Sequence, residues 1–142
     1  MKPTLALRIA SVLTFIHAVL HTVGGVFGKP SPGPSQIAYS AMEANHFLVM
    51  GLTRSYSMFY LGLGLCVSIF LTFEAFIFWL LGNLARKDPE RLRPLLAVFL
   101  VAYLALAVNS WFLFFLAPVV TEVAIAVFLG IAIYTAKPTP AT

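Results

Sequence analysis

Charge is what this chain has least of. Of its 142 residues, 9 are Lys or Arg and 5 are Asp or Glu, 10% in all, against the ~25% of an ordinary soluble domain. Hydrophobic residues make up 61%. So short a chain cannot bury that much apolar surface away from water, which excludes a soluble globular domain. Cysteine is nearly absent. Cys66 stands alone, so an intrachain disulfide is impossible and the residue reads as a small packing group. The chain also lacks an internal repeat and the broken, inverted spans that mark many transporters. No basic patch stands apart from the apolar runs, so the net charge of +4 gives no reason to expect a nucleic-acid partner.

What is there is hydrophobic length. Four apolar stretches cover residues 5–27, 57–81, 94–116 and 117–136, each near the ~20 residues that a helix needs to cross ~30 Å of hydrocarbon. No polar linker divides the last two. A single helix over both would measure ~64 Å at ~1.5 Å per residue, too long for one span. The fold-back is expected at Ala117-Pro118, because proline disfavours helix in its predecessor and suits the first turn of a new one. The first stretch follows Lys2 and Arg8 as a signal peptide would, but it is longer than a signal's apolar core and is interrupted by His17 and His21; it reads as a retained helix. The expected fold class is all-α, a four-helix transmembrane bundle with a short extracytoplasmic interfacial helix, in a single domain.

Basic residues set the expected orientation. Lys2, Arg8, Arg86, Lys87, Arg91, Arg93 and Lys137 fall at one set of helix ends, and only Lys29 and Arg54 at the other. The positive-inside rule then puts both termini and the 86–93 loop in the cytoplasm, in a bacterial inner membrane. The outer segment, 29–52, begins with three prolines and a glycine and is irregular there. Over Gln36–Met50 the spacing predicts a helix, with Ile37, Ala41, Ala44 and Leu48 on one face. It is too polar to span and is expected to lie as a lid over the apolar turn near Pro118. Residues 135–142, with Pro138 and Pro140, are expected to form a disordered tail.

At ~100° per residue, Ala10, Thr14, His17, His21, Gly24 and Gly28 share one stripe. The second run lines up Thr53, Ser57, Tyr60, Gly64, Val67, Leu71 and Glu74; the third Val98, Ala102, Ala105 and Asn109; the fourth Glu122, Ala126, Leu129 and Ile133. Small residues mark helix contacts in lipid, so these stripes are expected to face the bundle interior. His21, Asn109 and Glu122 then fall ~7–10 Å below the outer surface, His17 ~15 Å and Tyr60 ~5 Å.

Ionisable groups at membrane depth point to function, and two chemistries fit these. One is proton handling on a lipophilic molecule, with His21 and Glu122 as the catalytic pair and His17, Asn109, Tyr60 and Arg54 binding the ligand. The other is a metal site. His17 and His21 form H-x-x-x-H, and Glu43 and His46 form the E-x-x-H pair of di-metal carboxylate bundles, a donor set that suits zinc or iron; the same histidine spacing would also admit a haem. The plain structural alternative has these groups hydrogen-bonding across helices at ~0.6 kcal/mol each, with Glu74 satisfied by a nearby Ser or backbone carbonyl, and Tyr56, Tyr60 and Trp111 forming an interfacial belt. Expected partners are membrane lipids and a lipophilic small molecule. A homo-oligomer or a larger membrane complex is a further expected assembly, and a non-catalytic accessory or scaffold subunit of such a complex is the competing class.

Arg54-Ser55-Tyr56, Phe59-Tyr60-Leu61-Gly62-Leu63-Gly64, His21-Thr22-Val23-Gly24-Gly25 and Arg91-Leu92-Arg93-Pro94 resemble segments of a group of uncharacterised small bacterial four-helix membrane proteins. The resemblance covers nearly the whole chain; it implies the four-span fold and no activity. In architecture alone the chain is similar to DoxX-like proteins and to emopamil-binding-type sterol isomerases, whose membrane bundles use buried acidic residues.

Overall fold

A computed structural model describes residues 1–136; Lys137 of the basic set, and the tail with Pro138 and Pro140, lie outside the described residues. In chain order there are α1 (Pro3–Leu20), continued by a π-helical turn (His21–Val26), α2 (Pro34–Ala44), β1 (His46–Val49), β2 (Leu52–Ser55), α3 (Tyr56–Leu84), a 3₁₀ turn (Glu90–Leu92), α4 (Arg93–Leu113) and α5 (Leu116–Thr135). The fold is all-α apart from one small hairpin. Four helical stretches, Pro3–Val26, Tyr56–Leu84, Glu90–Leu113 and Leu116–Thr135, are long and apolar enough to cross a membrane. The chain is an integral membrane protein in design: Phe70, Phe73, Phe112 and Val101 are among the many large apolar side chains left on the outside, where a bilayer replaces water as their solvent.

The contacts divide the chain into two compact units, one made of Met1–His17 with the chain from Leu71 on, the other of Ala18–Phe70. In the first unit, four helical segments share one core. Ala6, Leu7 and Ala10 of α1 meet Phe78 and Leu81 of α3, Leu96 and Tyr103 of α4, and Ile125, Ala126, Leu129 and Ala132 of α5. The alanines on α1 and α5 let backbones approach, and close packing is what joins helices where lipid offers no hydrophobic drive. Phe78 sets its ring edge-on to Phe99 at 5.0 Å between centroids, a geometry favoured by the aromatic quadrupole.

The break between α4 and α5 falls slightly before the expected Ala117-Pro118. Phe114 and Phe115 are extended (φ −123° and −130°), and α5 starts at Leu116. Pro118 therefore sits inside the first turn, where its missing N–H costs nothing because the first N–H groups of a helix have no partner within it.

In the second unit the expected helix over Gln36–Met50 is corrected. It runs only over Pro34–Ala44. Asn45 turns extended (ψ 107°) and its side-chain amide donates to the Ala41 carbonyl at 2.7 Å, closing the last turn. His46–Val49 then pairs antiparallel with Leu52–Ser55, His46 opposite Ser55 and Val49 opposite Leu52. Met50 (φ 49°) and Gly51 (φ 80°) make the two-residue turn, in the left-handed conformation at both positions that such hairpins favour. Phe47 carries the hairpin onto the start of α3, 4.8 Å from the Tyr56 ring and 5.7 Å from Phe59. Ser55 ends the strand and caps the helix: its hydroxyl oxygen accepts the Met58 N–H at 3.3 Å, satisfying one of the orphan donors.

The end of α1 is also irregular. From His21 to Val26 the helix widens to a π turn, closed by the Phe27 N–H on the Thr22 carbonyl at 3.0 Å. Thr22 bonds back to the Ala18 carbonyl at 2.6 Å, a contact that loosens a helix, and Gly24-Gly25 follow. Gly28 completes the exit: a Cβ there would collide with the Gly24 carbonyl oxygen.

Candidate functional site

Polar groups gather in both units. In the first, α1, α3 and α4 are tied by a chain of hydroxyls ending on a carboxylate. Tyr103, 1% exposed, donates from its phenol to Glu74 Oε2 at 2.8 Å. Thr14 Oγ1 lies 3.4 Å from the same phenol oxygen and donates to the Ala10 carbonyl at 2.9 Å. One turn away, Ser11 donates to the Ala75 carbonyl at 2.7 Å, joining α1 to α3 a second time. Glu74 thus has a tyrosine as its partner, rather than the expected serine or backbone carbonyl.

A second carboxylate is set between α4 and α5. Glu122 is 5% exposed. Its Oε1 accepts the Ser110 hydroxyl at 3.0 Å, while Oε2 is buried and takes no hydrogen bond from the described residues. In an apolar medium an unmet oxygen of this kind costs ~1–3 kcal/mol.

In the second unit the cluster is built on the π turn. His21 Nε2 lies 3.1 Å from the Gly64 carbonyl oxygen. A carbonyl only accepts, so Nε2 is the donor in this contact. Nδ1 faces Gly25, where an added Cβ would stand 3.4 Å away. Thr22 Oγ1 is 2.8 Å from Ser68 Oγ, which donates to the Gly64 carbonyl at 3.2 Å. Gly64 allows this approach: a Cβ there would press on Val26 at 3.0 Å.

No protein-family model, curated protein or solved structure matches this chain.

Its chemistry therefore has to be read from the residues. Glu122 is buried on the expected face with Ala126 and Leu129. Ala10 and Thr14 are buried and His17 and His21 half-buried, but Gly24 and Gly28 are exposed, because the π turn advances by less than 100° per residue and rotates them away. His21 belongs to one unit and Glu122 to the other, and each has its hydrogen bond within its own. Three placements differ from the expected ones. Asn109 is exposed, and the inward face of α4 is Leu96, Tyr103, Ala107 and Ser110; alanines lie all round this helix, so small residues misplace its seam. Tyr60 is 55% exposed, as are Tyr56 and Trp111 in similar measure. Glu43 and His46 do not share a helical face, since the helix ends between them; His46 is exposed beside the Ala44 carbonyl, 3.1 Å from its Nδ1. Among the described residues, no three His, Cys, Asp or Glu side chains stand close enough to hold a metal ion, so the grouping of His17, His21, Glu43 and His46 is not formed. Arg54 donates to the adjacent Thr53 carbonyl at 2.9 Å and carries no ion pair among the described residues.

Tyr103, Ser110, Ser11, Thr22 and Ser68 were missed. The signal was present for Tyr103 and Ser110: seven residues apart, they fall on one face of α4, and each donates to a carboxylate on a neighbouring helix.

Proposed function

We propose that this protein binds a lipophilic small molecule within the membrane, holding its one polar group on Glu122. One observation carries the reading: a carboxylate sits in a membrane span, fixed through one oxygen by Ser110, with the other oxygen buried and unpartnered. Polar groups are buried at such cost that they normally have partners. A ligand hydroxyl donating to Oε2, or a ligand carbonyl receiving its proton, supplies one. The positive-inside rule supports a bacterial inner membrane with both termini and the 86–93 loop cytoplasmic, which sets Glu122 in the outer leaflet.

The experiment is native mass spectrometry of the purified chain with a short-chain quinone and a sterol as probes. Wild type is expected to hold one of them, Glu122→Gln to hold it more weakly, and Glu122→Leu to lose it while helicity by circular dichroism is unchanged. Binding that survives Glu122→Leu in the folded protein would remove the proposal. A scaffold role has its own support in the Tyr103–Glu74 and Ser11–Ala75 bonds, which join helices.

A further inference from the structure

The cation richest in contacts is not in the site described above. Arg8 lies one to two turns into α1, in the first unit. Its guanidinium is stacked over Trp79, 3.3 Å from the ring centroid, and Nη2 donates to Asn83 Oδ1 at 2.6 Å. Gly82 makes room for it: a Cβ there would stand 3.4 Å from Arg8 Nε and 3.5 Å from the Thr4 carbonyl. Three residues of α3 thus hold the head group in one orientation. None of them is an anion. Nη1 is buried and has no hydrogen-bond partner among the described residues.

Arg8 lines an open groove of about 700 Å³ with Lys2, Thr4, Ala85, Arg86 and Thr135 among its neighbours. Among the described residues three cations line it and no carboxylate does. Among the described residues the ion pair found is Arg91 with Asp88 at 2.8 Å, on either side of Pro89, which also lines the groove. A preorganised guanidinium is matched to the oxygens of a phosphate, and an indole beneath it shields one face from water. Two further cations on the rim add long-range attraction.

We infer that the groove of Lys2, Arg8 and Arg86 is a binding site for a phosphate group, carried by an anionic lipid or by a soluble ligand. A lipid diester would reach it from the bilayer surface, where the amino end of α1 and the carboxyl end of α3 emerge; a soluble phosphate would enter from water. The inference is independent of Glu122 and of any molecule held there.

Native mass spectrometry of the full chain distinguishes the sources. One arm offers equal phosphatidylglycerol and phosphatidylcholine in mixed micelles, and the other offers glycerol 3-phosphate with phosphatidylcholine alone. The expected result is a retained adduct in one arm. It falls about fivefold in Lys2→Gln or Arg86→Gln, from the ~1 kcal/mol that each basic residue contributes near a membrane surface. It disappears in Arg8→Gln and partly returns in Arg8→Lys. Lys2 and Arg86 are exposed, so their variants fold even if the Arg8 variants do not. An adduct with phosphatidylglycerol assigns a lipid headgroup, and one with glycerol 3-phosphate a soluble ligand. No preference for either anion over phosphatidylcholine, or an adduct unchanged in Lys2→Gln and Arg86→Gln, overturns the site.

Discussion

Replacing Tyr103 by Phe isolates a single interaction. The ring is 1% exposed and packs beside Phe78, 6.0 Å between centroids; phenylalanine keeps that packing. Thr14 keeps its 2.9 Å bond to the Ala10 carbonyl and barely registers the change. The cost therefore falls on Glu74, which loses its 2.8 Å phenol donor. Hydrogen bonds between helices in a bilayer average ~0.6 kcal/mol and reach ~1.7. A short bond to a carboxylate belongs in the upper half, so the expected loss is ~1 kcal/mol. The assay is equilibrium unfolding in mixed micelles with increasing dodecyl sulfate, followed by tryptophan fluorescence, in a double-mutant cycle of Tyr103→Phe with Glu74→Met. The coupling should recover most of that ~1 kcal/mol. If the two losses add to within the ~0.3–0.5 kcal/mol typical of independent sites, the phenol and the carboxylate do not support one another and the seam between α3 and α4 is wrongly read.

Two further perturbations test the corrected faces. Asn109→Leu places an apolar side chain where the bilayer lies and is expected to leave stability within ~0.5 kcal/mol or improve it, whereas Ser110→Leu, at a position 4% exposed, overpacks the seam by ~1–3 kcal/mol and strips Glu122 of its donor; equal effects in the same unfolding assay would contradict the assigned face. Met50→Asn suits the left-handed conformation at φ 49° and, because Met50 is 98% exposed, gives up no packing; it is expected to slow hydrogen exchange across β1 and β2 by up to the ~1 kcal/mol that the left-handed region costs an ordinary residue, and no slowing would mean the turn is not strained.

The four spans were legible because the bilayer imposes a length, and hydrophobic runs report it directly. The fourth helix was legible in detail as well: Glu122, Ala126 and Leu129 repeat at helical spacing with only one polar residue among them, so one face stands out. The third helix was not. Ala97, Ala102, Ala105 and Ala107 surround it, and Asn109 and Ser110 compete for the seam one residue apart; the partners Glu74 and Glu122 decide between them, and they lie on other helices. The outer segment misled for a different reason. Ile37, Ala41, Ala44 and Leu48 continue a helical period past Ala44, but Asn45 closes the helix through its own side chain, and Met50-Gly51 reads as a turn only once strands flank it. Glycines 24 and 28 were placed by a constant 100° step that the π turn does not obey.

That widened turn has a consequence for length. It holds about one residue more than an α-helical turn over the same rise, so the stretch from His21 to Val26 is where this span can be shortened by one position without disturbing what precedes it. Removing Val23 would let ordinary winding resume, leave Gly24 and Gly28 turned away from Thr14's side of α1, and leave His21 at its place on the chain with a different neighbour beside Nδ1.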